Sequence, residues 1–326
     1  TEIVTLNTAG VPTATTNTAG ESVPPARRDV LGGGANLSFE VKTVRLELGG
    51  RFDWLHSRAD STPQSFTSEL DVEDRKLTWE AGLARRVGAW TPYGRVATGF
   101  RPANLEERYF NNSAHGGLRI FGNPDLISES SLTTELGVRA AGAWGDLLPT
   151  ARLSVYRSEV DELISLKYLG QLYLVPRFQY TNIRRARLEG AELSADVSIG
   201  SARVGVNAAL PRGFDSETGE RLTDIGAARA TLDVRFPLPK LVPMGSLTVR
   251  GRWTDAVAAN ETGTGLEDLA RPAFWTSALE VAATWWDTRV TASVHNLFDT
   301  SYREPLSFIP ETGRTFTLAL RRLSTR

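Results

Sequence analysis

The sequence predicts an all-β fold, an antiparallel up-and-down transmembrane β-barrel with about fourteen strands present. Three observations predict it: apolar and polar residues alternate with period two along the chain, the alternating runs are long, and the connections between them are alternately short and long. Helical periodicity is not sustained anywhere. Most runs are ~9 to 13 residues, whereas soluble strands average ~5 to 6 and a tilted strand needs ~9 to 11 to cross a bilayer.

The elements follow in order. Glu2–Leu6 reads as the end of a first strand. In Val44–Trp54, Leu46, Leu48 and Phe52 oppose Arg45, Glu47, Arg51 and Asp53; in Leu132–Trp144, Leu136, Val138 and Ala140 oppose Glu135 and Arg139. Ala191–Ile199 and Ala202–Leu210 continue the pattern. Ala228–Phe236 sets Ala230, Leu232 and Val234 against Arg229, Asp233 and Arg235, and Leu247–Thr254 sets Val249 and Trp253 against Arg250 and Arg252. Trp275–Trp285, Val290–Phe298 and Arg314–Arg322 complete the series. Short links are expected near 43, 88–91, 145–149, 200–201, 237–245 and 287; long external loops near 7–33, 57–75, 101–130, 211–226, 256–272 and 299–312. Gly32-Gly33-Gly34 reads as a flexible connection, and Gly99 and Gly190 as bulges or points of close backbone approach.

Tryptophans mark the expected membrane boundaries. Trp275 and Trp285 are ten residues apart on one face, which at ~3.3 Å per residue and a tilt of ~40° spans ~25 Å, the height of an aromatic-girdled apolar band. Trp54 and Trp253 fall at outer strand ends, Trp144 and Trp285 at inner ones. The last strand is reached from a long loop, so the C-terminus is expected on the periplasmic side of a Gram-negative outer membrane.

Composition excludes other classes. The 326 residues carry 37 Lys plus Arg against 38 Asp plus Glu, a balance that does not suit a polyanion binder, so no nucleic-acid partner is expected. No apolar run approaches the ~18 residues of a membrane helix. Zero Cys removes disulfides and thiolate sites. His56, His115 and His295 stand apart without a metal-ligand spacing, so no protein-built metal site is expected. Residues 1–30 contain no charged segment followed by an apolar one, so the chain reads as mature or as a fragment.

Four motifs carry a resemblance. Thr98-Gly99-Phe100-Arg101-Pro102-Ala103-Asn104-Leu105-Glu106-Glu107 is followed by Gly122-Asn123-Pro124-Asp125-Leu126 and Glu129. Tyr156–Ile164 pairs with Tyr180-Thr181-Asn182-Ile183 and Gly190-Ala191-Glu192-Leu193; Val294-His295-Asn296-Leu297-Phe298-Asp299 is joined by Tyr302; Gly313-Arg314-Thr315 opens the last run. In these places the chain resembles the C-terminal part of the barrel of TonB-dependent outer-membrane receptors. The resemblance implies a barrel of about 22 strands, with the first strands and an N-terminal plug outside this sequence. It implies energised uptake of a scarce nutrient, typically a ferric siderophore, driven by the TonB complex through the N-terminal part. No catalysis and no cofactor are implied, iron entering only inside its chelate. The alternatives are a self-contained fourteen-stranded passive channel and an outer-membrane hydrolase barrel.

Site expectations follow. The external loop holds Arg101, Arg108, Tyr109, Phe110, His115, Arg119 and Phe121, cationic and aromatic groups suited to an anionic chelate. The inner face is expected to hold Arg51, Asp53, Glu135, Arg139, Glu192, Arg229, Asp233, Arg235, Arg250 and Arg252, mainly as cross-strand ion pairs. Lipid is the partner of the opposite face.

Overall fold

A computed structural model describes residues 2–6, 12–17, 25–59, 70–114, 118–143, 147, 149–172, 175–222, 225–238, 244–257, 271–304, 307 and 309–323. Seventeen strands and one helix occur among them. Strand β1 (Glu2–Leu6) pairs with β2 (Pro12–Asn17) in a separate two-stranded sheet. The wall begins with β3 (Ala26–Val41), β4 (Val44–Ala59), β5 (Leu70–Arg85) and β6 (Trp90–Arg101). Helix α1 (Leu105–Tyr109) and two short strands, β7 (Asn111–Ala114) and β8 (Leu118–Phe121), follow. The wall resumes with β9 (Glu129–Ala141), β10 (Thr150–Leu172), β11 (Val175–Ile199) and β12 (Ala202–Asp215). It ends with β13 (Arg229–Pro237), β14 (Ser246–Thr254), β15 (Phe274–Trp285), β16 (Thr288–His295) and β17 (Thr315–Arg322).

Every neighbour along the wall is antiparallel, in one path from β3 through β6, then β9 to β17. The anticipated short turns lie at one end of the strands and the long connections at the other. No described helix is long and apolar enough to cross a membrane, so any crossing is made by strands.

Register shows why the alternation exists. Thr91, Arg139, Arg152, Ser194, Asn207, Thr231, Arg252 and Thr276 sit side by side across eight strands. The next row is Pro92, Val138, Leu153, Leu193, Ala208, Ala230, Trp253 and Trp275, apolar throughout. A one-residue slip turns a strand's polar set to the apolar face, carrying Glu135 and Arg139 there in β9 or Arg229 and Asp233 in β13, so side-chain chemistry fixes the pairing. Leu48, Phe52, Leu136 and Leu232 are exposed on the apolar face, as they must be where lipid is the solvent. Among the described residues the buried cluster is small, Ala103, Leu126 and Ile164 with Tyr180 against it, and it lies at the long-loop end.

Several loop boundaries need correction. Strand β3 starts at Ala26, inside the expected 7–33 loop, and Gly32-Gly33-Gly34 pair with Asp53, Phe52 and Arg51 instead of forming a flexible connection. Residues 57–59 and 70–75 extend β4 and β5, and 211–215 extend β12. Above the membrane both strand faces meet water, so backbone pairing continues while the hydrophobic period that reveals it disappears. The hairpin of β10 and β11, with 23 and 25 residues, is the longest such extension.

Candidate functional site: the outer mouth and the polar face

The segment 101–130 is built around a latch. Asn104 caps α1, its Oδ1 accepting from Glu107 N at 2.7 Å while Glu107 Oε2 accepts from Asn104 N at 2.7 Å. The other Glu107 oxygen accepts from Arg101 at 2.7 Å, and Arg101 also grips Glu129 through two donors. Glu129 in turn accepts from Ile164 N at 2.8 Å. Asn182 Nδ2 donates to the Ile127 and Glu162 carbonyls, while its Oδ1 accepts from Ile127 N at 2.9 Å. Glu162 has φ +57°, and Asn182 satisfies the carbonyl of that unusual conformation. Gly122 approaches the Arg108–Tyr109 backbone so closely that a Cβ would lie 2.5 Å from it. Further ties run from Arg28 to the Ala103 carbonyl, from Ser128 to Asp74, and from β8 to β11. The strongest sequence motif therefore folds the segment onto its neighbours.

The expected loop residues divide accordingly. Arg101 is held in ion pairs, whereas Arg108 and Tyr109 are buried, Arg108 donating to the Pro124 carbonyl at 2.8 Å. Burial pushes the Tyr109 phenol up to about 12 and lowers the Arg108 pKa. Phe110 and Phe121 are half-buried and Arg119 is exposed, its guanidinium 5.7 Å from the Phe121 ring centroid. His115 lies outside the described residues.

The ten residues expected on the inner face share the polar face of the wall. Arg51 pairs with Asp53 at 2.6 Å and Arg250 with Asp233 at 2.5 Å. Glu135 accepts from Tyr93 at 2.6 Å and from Arg152 at 2.7 Å, while Arg139 stacks on the Tyr93 ring at 4.4 Å. These groups line a recess of about 670 Å³ that also holds Glu47, Glu80 and Arg95. Glu192 and Arg229 line a second recess of about 410 Å³ with Arg152. Arg235 donates to Ser246 at 3.3 Å. Arg252 pairs with Glu304 at 2.7 Å. Sequence reasoning missed Tyr93 and Arg152 as the partners of Glu135; Arg152 was findable, because Arg152, Ser154 and Tyr156 alternate with Leu153 and Val155.

Of the expected girdle, Trp253 and Trp275 are register partners at the long-loop end, where Trp54 donates to Glu73 at 2.6 Å. Trp285 lies at the short-turn end together with Trp90 and Trp286, which the girdle expectation omitted. Trp144 lies outside the described residues. The mixed-sign ion pairs give this wall a charged, polar face, set against a back of exposed apolar side chains. Among the described residues no three His, Asp or Glu side chains are grouped to hold a metal.

Comparison with known proteins agrees with this two-faced wall. Heme/hemopexin utilization protein C of Haemophilus influenzae strain 86-028NP is 26% identical over 263 residues, 73% of this chain and 35% of that protein. The vitamin B12 transporter BtuB of Vibrio vulnificus is 28% identical over 123 residues, 36% of this chain and 17% of its own. Among solved structures, the copper transporter OprC superposes with a TM-score of 0.74 at 20% identity, covering 89% of this chain and 47% of that one. The Serratia marcescens hemophore receptor HasR, in complex with its hemophore and heme, gives 0.69 at 18% identity, covering 93% and 52%. The chain thus spans about a third of the first of these curated relatives and about half of the structures. The profile described as TonB dependent receptor-like, beta-barrel, matches residues 4–297, and the chain belongs to that outer-membrane family.

Proposed function

We propose that this chain forms the wall and the ligand-capturing external loops of a receptor for energised uptake of an iron chelate. The carrying observation is the combination of a polar face lined by mixed-sign arginine and carboxylate pairs with a latched segment in which the exposed Arg119 lies over the Phe121 ring. A charged chelate needs a wet, closed path through lipid and cationic and aromatic groups at its entrance. The C-terminus faces the periplasm, the side to which the short turns belong. The rest of the barrel and a plug lie in the remainder of the protein, through which the TonB complex acts. The wall itself makes and breaks no covalent bonds.

Two chelates fit. A ferric siderophore is the typical cargo that the family resemblance implies. Haem is the second reading, favoured because a 26% identical relative is named for heme and hemopexin utilisation. His115 falls in the segment 101–130, and imidazole is a common haem-iron ligand.

The test is growth of a strain lacking the full-length protein, supplied with ferric siderophores or haem as the only iron source, in the presence and absence of the TonB complex. Loss of growth on one source, restored by the gene only with an intact TonB complex, is expected. Restoration without that complex would favour a passive channel instead.

A further inference from the structure

The last long connection folds back over the polar face near Arg252. Arg252 belongs to the polar row, and its Nε donates to Thr276 Oγ1 at 3.3 Å. Its guanidinium lies 5.4 Å from the Phe274 ring centroid and 5.5 Å from that of Tyr302. Those two rings are stacked, 4.5 Å apart and inclined by 27°. Phe274 sits on β15, whereas Tyr302 arrives from the connection between β16 and β17, which also brings Glu304 to within 2.7 Å of the Arg252 guanidinium. The connection is anchored at both ends: Asn296 hydrogen-bonds both backbone groups of Thr300, and Asp299 accepts from Arg314 N at 2.7 Å. Arg271 donates to the Ser307 carbonyl at 3.0 Å, adding a tie beyond Glu304.

We propose that Arg252, with Phe274 and Tyr302, is a carboxylate-binding site at the mouth of the polar face, occupied in the free protein by the chain's own Glu304. A cation set over stacked rings is built to hold an anion with apolar bulk beside it. Both partners of the pair are about one-third exposed, so water reaches them and the internal pair is easily exchanged. An incoming polycarboxylate takes the place of Glu304 on Arg252, and residues 301–304 swing away while the Asn296–Thr300 and Asp299–Arg314 anchors stay fixed. The site deepens the uptake reading by giving the cargo a carboxylate, and it rests on that reading only for its physiological role.

This chain contains no Cys, so exposed Ser301 can be replaced by a spin-labelled cysteine, with any cysteine in the rest of the receptor changed to Ser to keep the label single. In the purified full-length receptor, citrate should raise nitroxide mobility saturably, by about two-fold, whereas sodium chloride of equal ionic strength should not. Glu304→Gln should be mobile from the start. Arg252→Gln should also be mobile and should not respond to citrate. A wild-type label indifferent to citrate, or moved equally by chloride, would overturn the proposal, as would a Glu304→Gln protein as immobile as wild type. The readout involves no transport, so the site can fail while TonB-dependent growth stands, and the reverse.

Discussion

Gly122 shows how much of a motif is geometry. An added Cβ would meet the carbonyl carbon and oxygen of Arg108 and the nitrogen of Tyr109 at 2.5 Å, and backbone atoms cannot rotate away as a side chain can. Gly122→Ala should therefore cost about 1 to 3 kcal/mol and loosen the latch, read as faster proteolysis of segment 101–130 in intact outer membranes. Gly226→Ala, where nothing lies within 4 Å, should behave as wild type. Equal protection of both variants would refute the role given to the close approach. The motif's residues are legible in the sequence, but their roles are not. Glu129 reads as one more acidic residue until folding brings Arg101 and Ile164 N to it, from 28 and 35 positions away. Arg108 and Tyr109 have the composition of a ligand site and are buried in the latch, because residue type alone does not tell which way a loop side chain points.

Strands were far more legible than loops, for a physical reason. Inside the membrane each strand separates lipid from water, and the side-chain period must report it. Ser198, Arg203, Arg235, Thr248, Glu280, Ser293 and Thr317 form one polar row, with Val197, Val204, Val234, Val249, Leu279, Val294 and Phe316 beside it. On β10 the exterior positions pass from Leu153 and Val155 to Arg157, Glu159 and Asp161, and there the pattern that reveals a strand ends, although pairing with β11 runs on to Leu172. Val249 is the sharper probe of this assignment, since its row lies midway between those of Trp275 and Trp285. Val249→Arg should cost about 2 to 4 kcal/mol in chemical unfolding of the native protein in bilayers. Asp233→Asn, which loses an exposed ion pair with Arg250, should cost about 1 kcal/mol or less. Equal costs would mean that the two faces meet the same solvent.

At the scale of the molecule, the edges decide what kind of object this is. The path of wall strands ends at β3 on one side and β17 on the other, and these two do not pair with each other among the described residues. In hydrocarbon each unpaired backbone group costs several kcal/mol, so an open wall is untenable and its two edges must be covered, by further strands or by each other. The uptake proposed above requires the former. The ion-paired polar face also asks for something to enclose, a cargo or a plug. An antibody against segment 101–130 should therefore detect, in isolated outer membranes, a band well above the 35.6 kDa of this chain. Heating before electrophoresis should shift that band, because a closed barrel resists detergent until its hydrogen-bonded ring melts. A heat-shifting band at 35.6 kDa would mean that β3 and β17 find each other in the membrane. The wall would then be a self-sufficient barrel, and the uptake mechanism would have to change from energised to passive.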